Sequence, residues 1–203
     1  MKKEKKLDVV FILDKSGSMG GQEENTISSF NEYLEKEKNN KYNTYITTVL
    51  FSDTYSILHD RIPVKKVKKL TNKDYFVGGC TALNDALGNT INSMKQKDTD
   101  KVLFIIITDG YENASREYKK DDIKNLINKN KDFEFIYVGA DINSYAAGSQ
   151  IGIKNDNIAN FKKDRKGTAK LFNAVGCFED SMMNKKASIN WKQELDEYLD
   201  ENK

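Results

Sequence analysis

The sequence predicts an α/β fold: a doubly wound, mostly parallel sheet with one antiparallel edge strand and helices on both faces. Three observations lead there. Short apolar runs rich in β-branched and aromatic residues recur at 9–13 (VVFIL), 102–107 (VLFIII) and 133–138 (FEFIYV). Segments with helical periodicity separate these runs. Polar, glycine-bearing motifs follow directly on the ends of the first two.

The run at 9–13 is short and lacks clean alternation, as a strand buried on both faces of a parallel sheet does. In 23–38, Ile27, Phe30, Tyr33 and Leu34 recur at helical spacing and give one buried face. Residues 45–51 (YITTVLF) alternate better. With 54–59 they predict an antiparallel hairpin turning at Ser52-Asp53, at one edge of the sheet. The segment 82–94 places Leu83, Ala86, Leu87 and Met94 on one side, with Ile91 beside them. Residues 121–130 open with two acids, and lysine near their end suits a helix dipole. Further helices are expected over about 142–150, 166–183 and 188–199. Strands alternating with helices of this length need right-handed crossovers. The chain, 1–203, reads as one domain with its core over about 7–183 and a C-terminal helix at about 188–199.

Composition narrows the function classes. The 33 basic and 31 acidic residues leave a formal net charge of +2, so no strong field favours nucleic acid or membrane. The basic runs at 1–6 and 65–69 lack interleaved aromatics and read as solvated charge. Two cysteines, Cys80 and Cys177, are too few for a disulfide framework and suit a reducing compartment. After the basic start, the apolar run at 9–13 is too short for a signal-peptide core. No later stretch is long enough to span a bilayer. A cytoplasmic protein is the expectation.

In open α/β sheets, ligands bind beyond the carboxyl ends of the strands, where the winding direction reverses. The first strand ends in Asp14-Lys15-Ser16-Gly17-Ser18, a D-x-S-x-S loop. The run at 102–107 ends in Thr108-Asp109-Gly110, and Gly78-Gly79-Cys80-Thr81 opens the helix at 82. Alternation lets Asp14, Ser16 and Ser18 face one way at a tight turn. Gly17 is expected to supply an unusual backbone angle between the serines, and Gly78 and Gly79 to bring Thr81 close. Carboxylate and hydroxyl oxygens suit magnesium, manganese or calcium; the single histidine, His59, lies on the predicted hairpin, and no Cys/His cluster suits zinc. Two charged groups among five side chains leave room for waters and for an outside ligand.

This constellation resembles the metal-ion-dependent adhesion site of the von Willebrand factor A family, and the resemblance covers most of the chain. Asp14, Ser16, Ser18, Thr81 and Asp109 match all five positions of that site. The resemblance implies that the serines and threonine ligate a divalent cation directly, that the aspartates do so directly or through water, and that a partner's carboxylate completes the sphere. Residues 108–115 and 138–151 look more like stand-alone bacterial and phage members than like integrin or matrix members.

Each residue also has a plainer reading. Asp14, Ser16, Ser18 and Thr81 are helix-capping types, and Asp109 precedes a glycine as turn residues do. Metal binding is favoured because all five occur together. Asp85 is expected to be structural or to orient a ligand. Cys80 reads as a small buried residue. Glu112 reads as rim charge or as an exposed loop acid, and Tyr111, Tyr118 and Tyr145 as a ring of contact residues around the upper face.

The expected function is a metal-dependent protein-interaction module, with magnesium first and manganese or calcium as alternatives. Its partner is a protein that contributes a carboxylate. One alternative is a subunit of an ATPase-driven assembly; the chain lacks G-x-x-x-x-G-K-[ST], so the ATPase would be the partner. A metal-dependent phosphatase or nuclease is less favoured, because Lys15 and Glu112 are the only nearby candidates for a base. The chain is therefore expected not to be an enzyme.

Overall fold

The computed structural model describes residues 5–94, 98–184 and 190–202. Its centre is β1 (Lys6–Asp14), flanked by β2 (Asn43–Phe51) and β4 (Lys101–Thr108). With β3 (Tyr55–Pro63), β5 (Phe133–Gly139) and β6 (Ile158–Asn160), the strand order is β3-β2-β1-β4-β5-β6. All pairings are parallel except β2 with β3.

Alternation along each buried strand divides the core in two. Leu7, Val9, Phe11 and Leu13 of β1 face α1 (Glu23–Glu37), α5 (Arg165–Asn184) and α6 (Gln193–Asp200). Val10 and Ile12 face α2 (Leu83–Met94) and α3 (Lys120–Lys129). Phe11 meets Phe30 and Tyr33 edge-on, each at 5.1 Å between ring centres. On the other face Phe104 stacks on Phe135 at 4.8 Å. Each such side chain withdrawn from water stabilises the fold by roughly 1.5–3 kcal/mol. Side chains wanted on both faces of a strand explain why these runs do not alternate with polar residues.

The expected hairpin forms, with Ser52, Asp53 and Thr54 as its turn. Its outer strand is irregular: Arg61 takes a left-handed conformation (φ 49°) beside shifts in the β2–β3 register. That bend aims the guanidinium across β2 at buried Asp8 of β1, with Nε–Oδ1 at 2.9 Å and Nη2–Oδ2 at 3.2 Å. His59 is buried on this strand and bonds Thr48 at 3.0 Å.

Sequence periodicity missed β6, whose three residues are too short to show any. The helix expected over 142–150 is α4 (Ser144–Gln150), capped by the Asn143 side chain, which accepts from the Ala146 amide at 3.0 Å. Of the helix expected at 188–199, residues 188 and 189 lie outside the described residues, as do residues 1–4 of the basic start. Helix α6 begins only at Gln193, because Trp191 turns inward first: its indole donates to the Asp156 carbonyl at 2.8 Å and packs on Phe178. Among the described residues, no helix is long and apolar enough to cross a membrane.

One polar group sits deep between α1 and α5. Glu179 is fully buried and accepts from the Tyr33 hydroxyl at 2.6 Å, with the buried Glu37 carboxyl nearby. Burial, and then Glu37, push its carboxyl well above the ordinary carboxylate range. The folded protein therefore holds a proton that the unfolded chain releases, and stability falls as pH rises above about 4.5. Glu179→Gln should raise the melting temperature at pH 8 by roughly 2–4 °C, about 1 kcal/mol for a chain of this size, and by less at pH 5. Thermal melts at the two pH values check this; an equal change at both would mean that Glu179 is ionised in the fold.

Candidate metal centre

The chain winds from β1 to β2 on one side of the sheet and to β4 on the other. The crevice where these directions part lies beyond the carboxyl ends of β1 and β4, next to each other in register at Leu13 and Ile107. Asp14 stands at this point, wholly buried. Its Oδ1 accepts the Ser16 amide at 2.7 Å and its Oδ2 accepts the Thr108 hydroxyl at 2.6 Å. The Tyr75 hydroxyl donates to its carbonyl at 2.5 Å. Burial pushes the Asp14 carboxyl up, and the bonds from Thr108 and Ser16 oppose that shift.

From Asp14 the chain enters a 3₁₀ turn at Gly17–Met19. The hydroxyls of Ser16 and Ser18 lie 3.1 Å apart, and Ser18 Oγ donates to Asp109 Oδ1 at 2.5 Å. Ser18 has one proton to give, so Ser16 is the donor in the serine pair and the relay runs Ser16 to Ser18 to Asp109. A methyl group at Gly110 would lie 2.9 Å from Thr81 Oγ1 and 3.4 Å from Ser18 Oγ. The hydroxyls of Thr81 and Ser18 thus close on one small space beside Asp109, which Gly110 leaves open. All five residues expected at the site are brought together.

The glycines work differently from expectation. Gly17 does not adopt a left-handed angle, and a methyl there would meet only the Gly79 carbonyl at an ordinary 3.5 Å. Its amide instead donates to that carbonyl at 3.0 Å, while the Gly78 amide donates to the Lys15 carbonyl at 2.9 Å. These bonds tie the D-x-S-x-S turn to the loop carrying Thr81. Gly79 is the position that needs glycine: its φ is +80°, and a methyl would fall 2.0 Å from the Asp53 carboxylate.

The loop after β4 clamps the start of α2. Glu112 accepts from the amides of Asn84 (2.7 Å), Ala114 (3.0 Å) and Ser115 (2.8 Å), and Asn113 accepts the Thr81 amide at 2.9 Å. Its carboxylate is therefore an internal cap rather than free rim charge. Asp85 is structural, accepting the amides of Arg116, Glu117 and Tyr118 at 2.8–2.9 Å. Cys80 is exposed, not buried, and the Asp53 carboxylate beside it pushes its thiol up. The ring of tyrosines does not form: Tyr118 lies against Gly88, and Tyr145 is half-buried beside the Lys192 ammonium. Tyr111 alone stands out into solvent, 56 % exposed.

Two residues at the site carry no signal in the sequence. Lys163, in the link from β6 to α5, places Nζ 2.9 Å from Asp109 Oδ2, 3.2 Å from the Ser18 carbonyl and 3.1 Å from Asp141 Oδ2. Asp141, just after β5, takes a left-handed angle (φ 55°). Lys163 belongs to no recognisable motif, and Asp141 lies in the 138–151 stretch without having been expected at the site. The folding of strands β4 to β6 brings Lys163 to Asp109, with Asp141 on the other side of its ammonium.

The donor set is all oxygen, two carboxylates and three hydroxyls, which fits a hard divalent cation. Among the described residues, no three acids, histidines or cysteines gather in metal-holding geometry. A cation bound here would rely on the hydroxyls.

The model of the von Willebrand factor type A domain matches residues 8–174. The chain belongs to this family. Its fold is similar to several solved members and neighbours. Proximal thread matrix protein 1 from the mussel byssus, in a structure with a zinc-occupied MIDAS motif, aligns with a TM-score of 0.64 at 15% identity over 87% of this chain and 46% of that one. The vWF domain of the type V pili tip protein Mfa5 from Porphyromonas gingivalis gives 0.65 at 12% identity, covering 88% of this chain and 96% of that one. A mutant of the PilB minor pilin from Streptococcus sanguinis gives 0.72 at 11%, covering 93% and 64%. This chain spans less than half the length of the mussel protein, and identities this low speak for the fold alone. No curated protein matches the sequence significantly.

Within this vWA domain, the contact between β1 and β4 through Thr108 and Asp14 fixes the first aspartate of the motif. Thr108→Val should leave Asp14 Oδ2 buried and unpaired and cost about 1–3 kcal/mol. Each kcal/mol lowers the melting temperature by roughly 2–4 °C for this length. A melt of the metal-free protein checks this; an unchanged midpoint would mean that β4 does not hold Asp14.

Proposed function

We propose that this vWA domain is a divalent-cation-dependent protein-interaction module. Asp14, Ser16, Ser18, Thr81 and Asp109 would hold the ion, and a carboxylate of a partner protein would complete its sphere. The observation that carries the reading is the convergence of the Ser18 and Thr81 hydroxyls with Asp109 on the space beside Gly110, at the rim of the sheet. When bound, the ion would supply a fixed positive centre for an anionic side chain. Magnesium is the first choice for an all-oxygen site, with manganese and calcium as alternatives. Zinc joins the test because a MIDAS motif in the mussel neighbour is zinc-occupied.

The residues around the site support binding rather than catalysis. Lys15 lies 4.4 Å over the Phe76 ring, and Glu112 caps backbone amides, so both candidate bases are already engaged. Phe76 and Tyr111, at 62 % and 56 % exposed, offer apolar contact area on loops of the site. The partner is a protein with an acidic group, an ATPase of a larger assembly being one such candidate, and neither nucleic acid nor membrane. Two exposed free thiols, Cys80 and Cys177, favour a cytoplasmic setting.

Calorimetric titration of metal-stripped protein with magnesium, manganese, calcium and zinc tests this reading. One-site binding should be abolished by Asp14→Ala and weakened about tenfold or more by Ser18→Ala, the latter with a near-normal melt. Equal affinity in wild type and Asp14→Ala would sink the proposal.

A further inference from the structure

We propose that Lys163 is a tethered cation of the metal centre, whose ammonium competes with the divalent ion for Asp109 and sets the concentration at which that ion binds. The inference rests on the metal-binding reading above and adds a residue that no part of the adhesion motif contains.

The ammonium has three protons, and three oxygens surround it: Asp109 Oδ2 at 2.9 Å, Asp141 Oδ2 at 3.1 Å and the Ser18 carbonyl at 3.2 Å. Two of these oxygens belong to proposed metal ligands. Ser18 Oγ already occupies the other Asp109 oxygen, so that carboxylate is satisfied on both sides before any metal arrives. The Asp109 side chain is fully buried, and that of Lys163 is 23 % exposed, so the pair is shielded from salt. A lysine amine is charged at neutral pH, so the contact is between an ammonium and a carboxylate.

The tether is short and anchored. Lys163 accepts the Gln22 side-chain amide at its carbonyl (3.2 Å), and Asp164 next to it accepts from the Gly167 amide (2.7 Å) and the Tyr198 hydroxyl (3.0 Å). A cation held this way is present at high effective concentration. A divalent ion ligated by Asp109 would bring a second cation against the ammonium, so binding must displace Nζ from Asp109. Asp141 provides the alternative berth: its side chain is 68 % exposed, and Lys163 can keep that contact while releasing Asp109 and Ser18.

The apparent affinity of a site falls by the fraction of time it is open to its ligand. If Lys163 holds Asp109 nine-tenths of the time, removing it tightens binding about tenfold. Magnesium and calcium should therefore be titrated calorimetrically into wild type, Lys163→Met and Lys163→Arg. The expected result is binding about tenfold or more tighter in Lys163→Met, with Lys163→Arg staying near wild type. Wild-type binding that is equal in, or weakened by, Lys163→Met overturns the tethered cation and leaves the metal centre standing. Absence of saturable binding in all three proteins overturns the metal centre and this inference with it. Acetylation of the Lys163 amine, followed by mass spectrometry, should also speed up when magnesium is added; a rate unchanged at saturating magnesium counts against displacement.

Discussion

The Asp14 carboxylate must be buried at the end of the central strand, and that constraint shapes everything above the sheet. A buried carboxylate needs partners for both oxygens. The turn that follows β1 supplies one in the Ser16 amide, and the end of β4 supplies the other in the Thr108 hydroxyl. The second bond exists only because β1 and β4 run parallel and in register, which brings Asp14 level with the end of β4. Asp109 is the next residue after Thr108, so the same pairing delivers the second acid of the site.

Around that pair, backbone and side chains divide the labour. The turn at Gly17–Met19, the left-handed Gly79 and the loop at 112–115 are fastened by hydrogen bonds from backbone amides. Asp14 belongs to that frame, while the Ser18 hydroxyl, Asp109 and the Lys163 ammonium bond one another through side chains. Ser18 and Lys163 together hold Asp109 from both sides.

The acids near the site show how little a residue type says alone. Asp85, Glu112 and Asp109 are all acids in or beside the loops at the top of the sheet. Asp85 and Glu112 face backbone amides at the start of α2 and along the segment after β4, where they replace missing helix and loop partners. Asp109 faces hydroxyls and an ammonium. Their distinct roles come from the direction in which each side chain leaves the backbone, and composition does not record direction.

What the sequence determined by itself is the α/β class, the hairpin edge and the five residues gathered at the crevice. The apolar runs at 9–13, 102–107 and 133–138 reveal strands wanted by cores on both faces, and D-x-S-x-S, G-G-x-T and T-D-G mark where those strands and loops end. These signals are local, because strand burial and turn chemistry act over a few neighbouring residues. The three-residue strand β6, the exposure of Cys80, the caps made by Glu112 and Asp85, and the meeting of Lys163 with both Asp109 and Asp141 were decided by tertiary structure. Lys163 stands 54 positions from Asp109 in the chain, and only the stacking of β5 and β6 beside β4 brings its ammonium within 2.9 Å.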